Sequence, residues 1–311
     1  MNNTGCVTFE KNERTILANL GGQPWKASQF TRQALRAARS DWLRLRKAVG
    51  FTGAGRWLTT ELTSPKLAKS GVPSVGVTLH SSLRALAVWR QQDEATQHAI
   101  AAALDTTVDD VRSSLMQTMC PRSTSGCVGG CVTTHSEQAS LGRTDVVRLV
   151  KTLFHLHRPA SAFCLTGEEL RKLRKANGRK CRWRVNISDD IRWELLAPGL
   201  WTFKVPGYAY TKWTPQERPG RKGLSLVYSA TERHTDADIT NMLRDGHRVA
   251  VVLDVRPADL PDVWKGCPVS DGNVTDDLYT HQGPCIVGLS VKGPTLAIKE
   301  RMRRTGFARP A

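Results

Sequence analysis

Apolar positions along this 311-residue chain switch between helical and strand spacing, and the switches divide it. Through 1–60 the spacing is helical. In "ASQFTRQALRAARSDWLRLRKAV", Phe30, Leu35, Trp42, Leu43, Leu45 and Val49 recur among Ala and Arg until Gly53 and Gly55 end the run. "SVGVTL" (74–79), Val-rich between Pro73 and Ser81, predicts a short strand. Residues 83–119 return to helix, and from 143 the two periods alternate. A helix over "RTDVVRLVKTLFHL" is followed by one over "TGEELRKLRKA", where Thr166 and Glu169 have capping-box spacing. Strands are predicted at 181–187, 201–210, 224–229, 248–255 and 285–291. The helix "TDADITNMLRDG" (235–246), capped at its start and closed by Gly246, separates two of them.

Strand–helix alternation implies an α/β fold with a mostly parallel sheet. Six strands suit a partial (β/α)6 barrel, and an open doubly wound sheet fits as well. The expected organisation is a basic helical N-terminal extension (1–58) and an α/β partial-barrel domain (59–307) carrying a helical insert (83–119). In either architecture functional groups gather at the carboxyl ends of the strands. Those ends are polar here: "RVNISDD", "AYTK", "YSATER" and "VVLDVR". Asn186, Ser188, Asp189, Asp190, Tyr210, Lys212, Ser229, Glu232, Arg233 and Asp254 are therefore expected around one mouth. Loop solvation predicts polarity too, so the concurrence of four such ends carries the argument.

Charge adds a partner to this picture. The chain has 45 Lys and Arg against 28 Asp and Glu, a net of +17. The excess is concentrated in 26–56 and in "RKLRKANGRKCRWR" (171–184), where Arg171, Lys172, Arg174, Lys175, Arg179 and Lys180 are candidate contacts to nucleic acid. A merely solvated basic face is the plainer alternative. "HAIAAALDTTVDDVRSSLMQ" resembles a helix-turn-helix over about 97–117. Its second helix carries two Asp and one Arg, which suits phosphate poorly, and an ordinary helical hairpin is the commoner structure. No run is apolar enough to span a bilayer, and the first twenty residues lack a basic start with an apolar stretch behind it. The expectation is a cytoplasmic protein with reduced thiols and no membrane partner.

Of eight cysteines, three crowd into "TMCPRSTSGCVGGCVTTH" (118–135). Cys120, Cys127 and Cys131 are spaced Cys-x6-Cys-x3-Cys, with His135 beyond them. Thiolates are soft ligands. Three of them on a cluster leave one iron open, whereas structural zinc wants four ligands, which His135 would complete. Unliganded thiols are the third reading. Cys181 and Cys285 fall on predicted strands and read as buried small hydrophobes. Cys6, Cys164 and Cys267 show no ligand spacing. The histidines of "HLHRP" follow an apolar helix end, where a cation suits the helix dipole, and carry no catalytic pattern. Dinucleotide, Walker and nucleophile-elbow motifs are absent.

The segments "LTSPKLAKSG", "CPRSTSGCVGGC", "GRTDVVRLVKT", "RVNISDDIRWE", "YAYTK", "LVYSATE", "RVAVVLDV", "LPDVWKGCPVSDGNVTDD" and "IVGLSVKG" occur in this order. Together they resemble an uncharacterised bacteriophage family with a CP-x-GC-x-C loop, similar in layout to the phage gene product 88 proteins and to radical-SAM-like barrels. The resemblance covers roughly 59–307. It points to Cys120, Cys127, Cys131, Arg143, Arg148, Asn186, Asp189, Asp190, Trp193, Glu194, Tyr210, Thr211, Lys212, Ser229, Lys292 and Gly293. The cysteine spacing departs from the usual Cys-x3-Cys-x2-Cys, and the helical insert separates the first strand from the loop.

Two functions follow as expectations. In the first, the three cysteines carry a four-iron, four-sulfur (4Fe–4S) cluster. Asn186, Asp189, Asp190, Ser229 and Glu232 hold S-adenosylmethionine, and Lys212, Tyr210 and Asp254 face a nucleotide or nucleic-acid substrate. In the second, the protein is a non-catalytic nucleic-acid binder with structural Zn2+.

Overall fold

The computed structural model describes residues 8–53, 55–131, 142–275, 279, 281, 283–291 and 295–311. Helical spacing at the N-terminus becomes α1 (Lys11–Asn19) and α2 (Arg32–Ala48). In α2 the Thr31 hydroxyl caps the first turn by accepting from the Ala34 amide at 3.1 Å. Ala38, Trp42 and Leu45, spaced by four and three, form its buried stripe. After α3 (Pro65–Ala68), the insert forms α4 (Ser82–Arg90), α5 (Glu94–Ala103) and α6 (Val108–Leu115), capped by Ser81, Asp93 and Thr107. The cysteine loop holds α7 (Ser125–Gly129). Then follow α8 (Arg143–His157), α9 (Pro159–Asn177), α10 (Trp193–Leu196), α11 (Asp236–Arg244) and α12 (Leu296–Arg304).

The ten strands are β1 (Thr59–Thr60), β2 (Ser74–Gly76), β3 (Arg182–Asn186), β4 (Gly207–Thr211), β5 (Leu224–Ser229), β6 (Val249–Leu253), β7 (Val263–Trp264), β8 (Cys267–Asp271), β9 (Ile286–Ser290) and β10 (Ala308–Arg309). They form one sheet in the order β1-β2-β3-β4-β5-β6-β9-β8-β7, with β10 on β6. The six strands expected from the sequence are β2, β3, β4, β5, β6 and β9. They lie side by side in chain order and all parallel. A doubly wound sheet reverses its strand order at a switch point; this row does not. β5 pairs with β6 only at Tyr228–Val249 and Ser229–Ala250, and further along β6 the C-terminal β10 takes over at Ala308–Val252. The sheet therefore opens between the carboxyl ends of β5 and β6, and the end of the chain fills the gap.

Alternation places Trp183, Val185, Ala209, Leu226 and Tyr228 in one buried cluster with Trp42, Trp57, Phe154 and Phe163 from the helices. The opposite side chains, Tyr208, Val227, Ala250 and Val287, form a separate small cluster. Among the described residues no helix is long and apolar enough to cross a membrane.

Two local expectations are corrected. The strand expected at 201–210 begins only at Gly207, because Pro198–Phe203 forms a 3-10 turn and Pro206, without an N–H, precedes the strand. No helix starts at Thr166. α9 starts at Pro159 and runs through it, and the Thr166 hydroxyl donates to the Ala162 carbonyl at 2.9 Å. Glu169, read as a capping partner, instead accepts from the Trp57 and Leu58 amides at 2.7 and 3.1 Å.

The N-terminal helices share the main core: Ile16, Trp25, Trp42 and Leu45 belong to the same buried cluster as Val75 and Trp183. A buried ion pair ties α1 down. Arg192 donates to Glu13 at 3.0 Å from Nε and 2.6 Å from Nη2, and stacks over Trp213 at 3.9 Å. Truncating one partner strands the other charge away from water, which costs about 3–5 kcal/mol. Glu13→Ala is therefore expected to lower unfolding free energy by about that amount with an unchanged denaturant m-value. A loss below about 1 kcal/mol, the value of an exposed pair, would show that α1 is peripheral.

Candidate functional site at the carboxyl ends of the strands

The block "RVNISDDIRWE" puts three carboxylates beyond the end of β3, and all three are buried: Asp189, Asp190 and Glu194. Burial of that much negative charge requires a cation, and Arg218 supplies it. Its guanidinium is fully buried. It bridges Glu194 at 2.7 and 2.9 Å, Asp190 at 3.2 Å and the Asn186 amide oxygen at 3.1 Å. The Tyr228 hydroxyl donates to the Arg218 carbonyl at 2.9 Å, which fixes the loop that carries it. Asp190 also accepts from Thr211 Oγ1 at 2.7 Å and from the Lys212 amide at 2.8 Å, so the ends of β3 and β4 are locked together.

Asp189 has a different environment. Its Oδ1 accepts from Asn186 Nδ2 (2.5 Å), Trp193 Nε1 (3.0 Å) and the Ile191 amide (3.3 Å). Its Oδ2 is buried with no hydrogen-bond partner among the described residues. Burial pushes this carboxyl up to about 7, against those three hydrogen bonds.

The cysteine loop sits on these strand ends. The Asp190 amide donates to the Met119 carbonyl at 2.8 Å, and the Cys120 thiol lies 3.8 Å from the Ser188 carbonyl. Lys212 sits beside Cys127, Asp190 and Cys120. Burial works against its charge, but Cys127, Asp190 and Cys120 favour it, and the balance moves its pKa up. Burial pushes the Cys120 thiol well up, with Asp190 and Asp189 adding to the shift against Lys212. A metal binding there has to displace a proton. Cys131 follows one turn after Cys127, its amide donating to the Val128 carbonyl at 3.3 Å. Among the described residues no group of three or more His, Cys, Asp or Glu could hold a metal ion.

Glycine in "SGCVGGC" serves close packing. A Cβ on Gly126 would lie 2.6 Å from Phe307 Cβ, on Gly129 2.7 Å from Arg301 Cδ, and on Gly130 2.6 Å from Met302 Sδ. The cysteine helix α7 thus lies flat against α12 and the chain that follows it. Glu232 anchors its start, accepting from Thr124 Oγ1 (2.7 Å), Ser125 Oγ (3.0 Å) and the Gly126 amide (2.8 Å).

Cys120, Cys127, Lys212, Asp189 and Asp190 are thus brought together. Asn186, Asp190 and Glu232 spend their polar atoms inside the protein. Ser229 makes no side-chain hydrogen bond among the described residues. Tyr210 lies under the Arg184 guanidinium at 5.4 Å, on the face of Tyr208. Asp254 pairs with Arg303 at 2.8 Å. Of the candidate nucleic-acid residues, Arg171 and Lys172 pair with Glu168 at 2.9 and 3.2 Å, whereas Arg174 and Arg179 line a cleft. The helix pair α5–α6 forms as expected, but Arg44 and Arg158 both clamp Asp105 in its turn. His135, Lys292 and Gly293 lie outside the described residues.

Sequence reasoning missed Arg218 and His80. Three buried carboxylates in one block were a signal that a cation must come from elsewhere. His80, following β2, is fully buried; its amide donates to Thr152 Oγ1 at 2.9 Å, and its Nε2 lies 2.8 Å from the Asp145 carbonyl. Burial brings it down to about 4, so it is neutral. The histidines of "HLHRP" are structural: His155 stacks on Trp57 at 5.0 Å, and His157 Nε2 lies 2.9 Å from Ser114 Oγ.

The raised pKa of Asp189 has a thermodynamic consequence. Between the unfolded value of 3.8 and the folded value of about 7, the native state binds the extra proton, so stability falls as pH rises across this window. Asp189→Asn removes the titration. The wild type is expected to lose stability relative to it by up to about 1.4 kcal/mol per pH unit, measured by urea unfolding from pH 4 to 7. Parallel pH profiles would show that Asp189 is ionised throughout.

No curated protein and no solved structure matches the chain. A family model described as "Gene product 88" does, over residues 81–308, a span that includes the cysteine helix, β3 to β6 and Arg218. The chain belongs to this phage protein family, the gene product 88 family.

Proposed function

We propose that the carboxyl-end mouth is an iron–sulfur site, with Cys120, Cys127 and Cys131 as ligands of a 4Fe–4S cluster in a partial (β/α)6 barrel. The observation that carries this is the grouping of Cys120 and Cys127 with Lys212, Asp189 and Asp190 at one mouth. Lys212 opposes the burial that holds Cys120 as the thiol, and the thiolate is the form that binds metal. The number of thiols bears on which metal the site suits. A tetrahedral ion with bonds of about 2.3 Å needs its sulfurs about 3.8 Å apart around one point. A cluster spreads its thiolates over separate irons. Three protein thiolates match a cluster with one open iron, whereas structural zinc wants four protein ligands.

The consecutive parallel strands support the barrel reading, since they bring the ends of β3 and β4 to one mouth beside the loop. With only three protein thiolates, a bound cluster supplies redox chemistry and one open iron for an amino-carboxylate such as that of S-adenosylmethionine. Of the groups expected to hold that cofactor, Asp189 Oδ2 is open to accept from an ammonium, and Ser229 is uncommitted. Asn186, Asp190 and Glu232 act one step back, by fixing Asp189, Lys212 and the cysteine helix.

Purification without oxygen, followed by iron, sulfide and zinc analysis and a visible spectrum, tests the site. The expected result is about four irons and four sulfides per chain, with loss of most iron in Cys127→Ser. Stoichiometric zinc without iron, or metal-free protein after reconstitution with iron and sulfide, would overturn it.

A further inference from the structure

A large cleft lies at the other end of the sheet, where β4, β5 and β6 begin. It encloses about 1160 Å³, more than the roughly 300–1,000 Å³ of ordinary small-ligand pockets. Its cationic wall is Arg174, Arg179, Lys204, Arg221, Lys222 and Arg248, and among the described residues no acid lines it. The sequence builds this wall from three directions. Arg174 and Arg179 come from the end of α9 and the turn after it. Lys204 closes the 3-10 turn, with a left-handed φ of 56°. Arg221 and Lys222 project from "PGRKG", a turn whose Gly220 and Gly223 have φ of 75° and 86°.

Four of these cations have little to neutralise them among the described residues. Arg174, Arg179, Lys204 and Lys222 make no side-chain hydrogen bond or ion pair among the described residues. Elsewhere the protein pairs its arginines readily, as at Glu168, Asp105 and Asp190. Two buried donors in the same cleft, Arg174 Nη1 and Trp201 Nε1, have no hydrogen-bond partner among the described residues. At the rim, Tyr279 is exposed, its hydroxyl donating to the Gly207 carbonyl at 3.0 Å and its ring covered by Arg182 at 4.6 Å.

We propose that this cleft binds single-stranded nucleic acid. Repeated cations, with no acid beside them among the described residues, match a phosphate chain, and six of them are more than one phosphate group needs. Unpaired donors at the floor and a fixed aromatic ring at the rim offer hydrogen bonds and stacking to unpaired bases. A concave wall admits a flexible strand, whereas groove reading of a duplex needs a protruding helix or ribbon. The inference does not rest on the cysteine mouth, which occupies the opposite strand ends.

The test is a fluorescence-anisotropy titration of a labelled oligothymidylate with the full chain at several salt concentrations. Four unpaired cations predict a log–log salt slope of about −2.8. Lys204→Ala with Lys222→Ala, both exposed residues, should weaken binding about tenfold and reduce the slope by about 1.4. Arg90→Ala with Arg112→Ala, an equal charge change on the insert, should leave both unchanged. Salt-independent or absent binding, equal losses in the two double variants, or tighter binding of a duplex of the same length would each overturn the proposal.

Discussion

The organisation of this protein's polar end depends on burying one guanidinium among acids. Arg218 is in contact with Glu194, Asp190 and Asn186 at once, with essentially no exposure to water. Desolvating such a group costs several kcal/mol per ion, and the attraction repays it only when geometry and hydrogen bonds are complete. They are close to complete here. Asp190 receives Thr211, the Lys212 amide and Arg218, and Glu194 receives two guanidinium nitrogens. The network joins the end of β3 to the end of β4 and to the loop beyond it. Positions that would otherwise be independent loop residues become one rigid unit.

The cysteine loop inherits that rigidity. Its first cysteine is held by the strand-end backbone through Met119 and Ser188, and its helix is capped by Glu232 from beyond β5. Three glycines let α7 approach α12 more closely than any side chain would allow. What reads in sequence as a flexible Ser- and Gly-rich stretch is, through Cys131, packed on two sides. A pre-positioned set of thiols beside a lysine lowers the ordering cost of binding a ligand there.

Much of the framework was legible. Strand spacing located the six consecutive parallel strands, because a buried strand must be an apolar run bounded by turn residues; β8, parallel to β9 but only partly buried, shows no such run. The polar ends of β3, β4, β5 and β6 were read as a mouth for the same reason: side chains just past a buried strand stay polar only if solvent, a ligand or a partner satisfies them. Less legible was which of these residues touch one another. Asp254 pairs with Arg303, and Glu232 caps a helix, because partners distant in sequence reach them first. Periodicity carries no information about such partners, and Arg218 escaped notice because it lies in a loop without pattern. Short β1, β7 and β10 are likewise invisible, since two residues cannot show a period. Pro159 outweighed the local Thr166 signal, as a proline at the first helical position fixes where a helix begins.

The two ends of the sheet thus have opposite characters: acids, thiols and a lysine at the carboxyl ends, unpaired cations at the amino ends. The first is the more demanding claim, because it requires the Arg218 network to act as a unit. A double-mutant cycle on urea unfolding with Arg218→Met, Asp190→Asn and the double variant measures this directly. A coupling energy of about 2 kcal/mol or more is the prediction, within the range of residues sharing one network. Additivity within about 0.5 kcal/mol would contradict it, and would mean that the mouth is held by its separate strands alone.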